Sequence, residues 1–247
     1  MNSPLSIIPG VQSSEENSSG YSEIAPLQAL PAVVADDSEK SWTLDVLARR
    51  EMAALFHSIE AARADTRPLC IQFVGSVSGE GTSSIAEGLA RFVAESVGKR
   101  VLLLGEVRPN ATDGMVLQDA IIAGTDLNDL LSLNEQPNLT LAYLAREEAA
   151  LARLADAETS SALIARLKER FPWVIIDSLP LARSSAGLLI AKNADGVILV
   201  VEADRTRKRT VMLARDRVVD AGGNLLGVVF NKRQTHLPAR LRRCFGN

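Results

Sequence analysis

The residues with the clearest chemical content are Gly79, Glu80, Gly81, Thr82, Ser83 and Ser84, which stand together between the apolar run Phe73-Val74-Gly75 and the helix-like run Ile85-Ala86-Glu87-Gly88-Leu89-Ala90. A strand, a glycine-rich turn and a helix start in series make a phosphate cradle. Small residues let backbone N–H groups converge where the helix dipole favours an anion. The complete pattern for such a cradle is G-x-x-x-x-G-K-[ST]. Here Ser76 stands at the first glycine, Gly81 at the second, Thr82 at the phosphate-binding lysine and Ser83 at the hydroxyl that meets magnesium. The cradle is written without its cation. A tight strand-to-helix turn also needs glycines for geometry alone, so the turn by itself implies less than the pattern around it.

Asp177 is the second candidate. It ends the apolar run Trp173-Val174-Ile175-Ile176 and is followed by Ser178-Leu179-Pro180. A strand-end carboxylate is where phosphate-transferring proteins hold magnesium or its water shell, so Ser83 and Asp177 are the expected metal ligands and Asp177 the expected catalytic group. The competing reading of Asp177 is a turn residue after a strand.

These residues need a scaffold that brings strand ends to one edge. Apolar runs at 68–75, 100–104, 138–144, 173–177, 196–201 and 225–230 predict strands, and helical patterns at 83–98, 126–133, 146–154, 160–170, 186–192 and 206–221 separate most of them. Continuous apolar strands alternating with helices predict an α/β fold, a doubly wound, mostly parallel sheet with helices on both faces. Before the first strand, residues 41–64 carry Leu44, Leu47, Met52, Leu55, Phe56 and Ile59 at helical spacing. Their stripe has two readings: a surface for a partner helix or a neighbouring subunit, or packing on the domain's own core.

The chain of 247 residues suffices for one such domain. Its net charge of −3 gives no general attraction to nucleic acid, and none is expected as a partner. Cys70 and Cys244 are far apart and outside any C-x-x-C pair, which fits a reducing compartment without a zinc cluster. No export signal or membrane-length apolar run is present, so the expectation is a cytoplasmic protein. Residues 1–40, rich in Ser, Glu and Pro, are expected to be a disordered tail, 41–235 the domain, and 236–247 a basic tail. In that last segment Leu237, Leu241 and Phe245 share a helical side near Arg240 and Arg243, which suits either an anionic lipid surface or a solvated C-terminal helix.

Together these landmarks resemble the MinD/ParA branch of P-loop ATPases, and most closely the bacterial tyrosine autokinases of exopolysaccharide synthesis. The likeness covers roughly residues 45–235 and is strongest in Phe171-Pro172-Trp173-Val174-Ile175-Ile176-Asp177, Ala194-Asp195-Gly196-Val197-Ile198-Leu199-Val200-Val201 and Leu226-Gly227-Val228-Val229-Phe230-Asn231. It implies ATP or ADP with magnesium as cofactor, with Asn231 beside the adenine. It also implies a membrane chain-length or polysaccharide co-polymerase protein as partner, a homo-oligomer, and a place at the inner membrane face.

The departures from that family matter as much. Besides Thr82, Gly105-Glu106-Val107 stands where the family ends its second strand with Asp-x-Asp. Tyr21 and Tyr143 are the only tyrosines, so the C-terminal tyrosine cluster is missing. Glu51 is followed by Ala54 and His57 where two arginines complete an oligomer motif. The resulting expectation is a degenerate, regulatory or scaffolding relative with weak or no nucleotide turnover. The rivals are an active ATPase or tyrosine kinase that takes its cation from Arg108, Lys192 or a neighbouring subunit, and a ParA-like positioning ATPase.

Overall fold

A computed structural model describes residues 7–9, 46–63, 67–106, 138–144, 157–184 and 186–232. In chain order the elements are β1 (Ile7–Pro9), α1 (Val46–Ala61), β2 (Leu69–Gly75), α2 (Thr82–Phe92), β3 (Val101–Glu106), β4 (Leu139–Leu144), α3 (Ala157–Arg170), β5 (Trp173–Asp177), α4 (Ala186–Ala191), β6 (Gly196–Glu202), α5 (Lys208–Asp220) and β7 (Leu225–Asn231). After Phe92 the second helix widens into a π-type turn, Val93–Val97, and stops at Gly98.

The strands form one seven-stranded sheet in the order β1-β7-β6-β2-β5-β3-β4. All neighbours are parallel except β1, which pairs antiparallel with β7 through Ile7↔Val229 and Pro9↔Gly227. Residues 7–9 therefore depart from the expectation that all of 1–40 is a tail without structure. Three residues are too few to carry a readable alternation, and an edge strand needs only backbone partners.

The central strands β2, β5 and β6 are buried along almost their whole length, which is why they read as unbroken apolar runs. One face of the sheet is covered by α1 and α2, whose Met52, Leu55, Phe56, Ile59, Ile85 and Leu89 meet Phe73, Ile175 and Trp173. On the other, Leu163, Ile164 and Leu167 of α3, with Ile190 of α4, cover Cys70, Leu102, Val174 and Ile176. Ala214 and Val218 of α5 complete that layer over Val197, Leu199 and Val201. The doubly wound reading holds.

The stripe on α1 packs inward. Leu55 and Ile59 are buried, and Phe56 stacks on Trp173 with ring centroids 5.3 Å apart, whereas Leu47 and Val46 stay exposed at the start of the helix. The reading of Leu47, Leu55 and Ile59 as a partner surface is corrected for Leu55 and Ile59. An amphipathic period shows that a face is buried without showing against what.

The parallel order sends the strand-to-helix turns to one edge and the helix-to-strand turns to the other. Lys192, between α4 and β6, belongs to the second edge, where a Cβ placed on Gly222 would lie 3.6 Å from the Lys192 Cβ. It cannot serve a loop at the first edge. Cys70 is also at that far edge: its N–H donates to Asp195 Oδ2 at 2.6 Å, and Lys168 Nζ donates to both oxygens of the same carboxylate. Burial, aided by the Asp195 charge and opposed by Lys168, pushes the Cys70 thiol up to about 12, so it stays protonated and inert at neutral pH.

Candidate functional site: a glycine loop at the strand ends

Gly75 ends β2, and residues 76–81 turn the chain into α2. Gly79 has φ 87° and Gly81 φ 84°, the left-handed region that glycine adopts without strain. Gly81 is needed for space as well, because a Cβ there would lie 2.2 Å from Asn231 Nδ2. The first intrahelical bond is Ile85 N–H to Gly81 O, and no side chain caps the helix. The N–H groups of Thr82, Ser83 and Ser84 thus have no intrahelical acceptor, and Ser83 and Ser84 are exposed. The backbone half of an anion cradle is in place.

Two side chains of the expected set point elsewhere. Glu80 is buried at 2% exposure, and its carboxylate accepts from Ser76 Oγ (2.7 Å), Val77 N–H (2.9 Å) and Thr206 Oγ1 (2.6 Å). It ties the loop to itself and to the β6–α5 turn, so its side chain is corrected from a ligand contact to an internal brace. Thr82 is 8% exposed, and its hydroxyl lies against the end of β2, 2.8 Å from where a Gly75 Cβ would stand. Only its backbone is offered to a ligand.

The neighbouring strand ends meet this loop. Asp177 is in register with Phe73, and beyond it Ser178, Leu181 and Ala182 donate backbone N–H groups to Phe73, Gly75 and Ser76. The segment after Asp177 therefore runs beside the entrance to the loop. Beneath it Gln72, fully buried, donates to Ser178 Oγ and Gly187 O. On the other side Asn231, which pairs with Glu202, donates from Nδ2 to Glu80 O at 2.9 Å. Gly79, Gly81, Ser83, Asp177 and Asn231 are thus gathered at one edge. Glu106 ends β3 at that edge too, while Val107, Arg108, the helices expected at 126–133 and 146–154 and the basic tail at 236–247 lie outside the described residues.

Sequence reasoning missed two participants. Thr206 joins the loop through Glu80, across a separation no local pattern signals. Lys232 Nζ donates to Gly79 O at 2.6 Å, and the signal available was its position directly after Asn231.

These residues fit the phosphate half of a nucleotide: open N–H groups, two left-handed glycines and a helix start. For magnesium the chain offers the Ser83 hydroxyl and Asp177. Among the described residues no group of three or more His, Cys, Asp or Glu could hold a metal ion, so phosphate and water would complete the shell.

A glycine loop with an open helix start, on a central strand of a parallel sheet flanked by strands added on either side, gives the chain a P-loop NTPase-like fold. No family model matches the chain. It is 26% identical over 162 residues to the tyrosine-protein kinase CpsD of Streptococcus agalactiae serotype III (strain NEM316), covering 62% of this chain and 70% of that protein. Its fold matches the kinase domain of the Escherichia coli tyrosine kinase ETK with a TM-score of 0.66 at 19% identity, over 78% of this chain and 80% of that one. It also matches the septum site-determining protein MinD with Mg-ADP from Pyrococcus horikoshii OT3, TM-score 0.54 at 17% identity, over 71% and 76%. By sequence the chain is similar to bacterial tyrosine-protein kinases, and by fold to their kinase domains and to a MinD ATPase.

Proposed function

We propose that this chain binds a nucleotide at the glycine loop without efficient phosphoryl transfer, and works as a regulatory or scaffolding partner in capsular or exopolysaccharide assembly. The observation that carries the reading is the loop itself: two left-handed glycines and an uncapped helix start, with Thr82 turned inward where the cation belongs. ATP or ADP would lie with its phosphates on the N–H groups of 82–84, its magnesium on Ser83 and Asp177 and its base beside Asn231. Bound magnesium would neutralise phosphate charge.

Magnitudes separate binding from turnover. A missing charge-assisted contact is worth ~1.5–3 kcal/mol, which weakens binding about tenfold to a hundredfold and leaves the backbone cradle. In the transition state the loss is larger, on the order of 10²–10³ in rate for one such group. Gly105-Glu106-Val107 in place of Asp-x-Asp removes further support for the metal and for the acceptor hydroxyl.

The likeness to tyrosine kinases supports this reading, and the family resemblance adds its partner, a membrane chain-length protein at the cytoplasmic face, with self-association into a homo-oligomer. No helix among the described residues is long and apolar enough to cross a membrane. The test is incubation with labelled ATP and magnesium, followed by phosphosite mapping. The expected result is no incorporation above background on Tyr21 or Tyr143. Label on either that disappears in Asp177→Ala would overturn the loss of transfer.

A further inference from the structure

We propose that Lys232 supplies the cation the loop lacks, reaching polyphosphate from the end of β7 in place of a lysine at position 82. The inference rests on the nucleotide-binding reading and adds to it the residue on which affinity depends.

In the complete pattern the lysine springs from the first turn of the helix. Lys232 comes from the opposite side of the loop. Its Nζ is 2.6 Å from Gly79 O, and its Cε would lie 3.8 Å from a Cβ on Gly81, so the side chain drapes across the glycine turn from one left-handed residue to the other. Its backbone is fixed for that purpose. Lys232 has φ 56°, a conformation that residues with a Cβ rarely adopt, and its N–H donates to Asn231 Oδ1 at 2.8 Å while Asn231 Nδ2 holds Glu80 O. One strand-end pair thus binds the loop backbone and aims an ammonium at it.

The ammonium has capacity to spare. It carries three donors, of which one goes to Gly79 O and a second, long at 3.4 Å, to Glu202 Oε2. Glu202 Oε2 has its own partner in Arg205 at 3.2 Å. The Lys232 side chain is 44% exposed, so an anion arriving at the loop can take the third donor and compete with Glu202 for the long one without entering the core. A lysine works here as a mobile point charge, and its long stem tolerates a new origin. The bland alternative is a latch that only holds Gly79.

The experiment titrates inorganic tripolyphosphate, and separately ATP with magnesium, into the full chain and into Lys232→Met, Lys232→Arg and Lys232→Met combined with Thr82→Lys. Lys232→Met is expected to lose roughly tenfold to a hundredfold in affinity for both probes, Lys232→Arg to keep most of it, and Thr82→Lys to restore it in the double variant. Tripolyphosphate has no base, so the loss must concern phosphate. Unchanged affinity in Lys232→Met overturns the proposal and leaves nucleotide binding standing. A loss that Thr82→Lys does not restore assigns Lys232 to the latch and also overturns it. If the unaltered chain binds neither probe, the nucleotide-binding reading fails and the proposal with it.

Discussion

In a Lys232→Met background, Thr82→Lys is expected to raise affinity for ATP about tenfold to a hundredfold, the worth of one charge-assisted contact of ~1.5–3 kcal/mol. Everything else that holds phosphate is already built: Gly79 and Gly81 are left-handed, the helix start is uncapped, and Asn231 fixes the loop through Glu80 O. The Thr82 hydroxyl lies inward against Gly75, but a lysine is long enough to leave its stem in that narrow space and carry its charge outward. Because Lys232 already serves the loop in our account, the gain should be smaller in the unaltered background than in Lys232→Met. Phosphoryl transfer should not return, since Glu106 is a single carboxylate where a pair is needed. Calorimetry and phosphate release on the same samples check both halves. No gain in affinity would mean that position 82 does not face the ligand.

Gly81→Ala is expected to be the most damaging single change in the loop. An alanine at φ 84° carries about 1 kcal/mol of strain, and its Cβ would stand 2.2 Å from Asn231 Nδ2. Asn231 cannot swing aside freely. It is 2% exposed, with Nδ2 on Glu80 O and Oδ1 on the Lys232 N–H, so relief of the clash breaks both bonds. The sum is about 2–4 kcal/mol, a fall in melting temperature of roughly 5–15 °C together with loss of nucleotide binding. Gly79→Ala is the internal comparison. It has φ 87° but nothing within 4 Å of the added Cβ, so only the strain of about 1 kcal/mol applies. Thermal melts of the two variants decide the point. Equal shifts would show that the close approach of Asn231 plays no part.

The same contrast shows what a sequence carries. Trp173–Asp177 and Gly196–Glu202 were legible because strands buried on both faces must be apolar throughout, and the glycine turn because only glycine accepts its backbone angles. Lys232 was not legible as part of the site. Its role depends on a left-handed backbone after a strand and on a contact with a residue 153 positions away. Glu80 carries the charge of a metal ligand yet turns inward to Ser76 and Thr206, a choice made by tertiary packing. Leu55 and Ile59 gave a stripe without naming what covers it. Lys192 could have been set aside earlier, since parallel topology sends a helix-to-strand turn to the edge away from the loop.

On this reading the chain holds a nucleotide and leaves it intact. Calorimetric titration of the full chain with ATP and magnesium, with the nucleotide recovered afterwards and identified by chromatography, tests it most directly. The expected result is saturable binding at micromolar concentration or weaker, with ATP recovered as ATP. Sub-micromolar binding with ADP recovered, or no heat of binding at all, would contradict it.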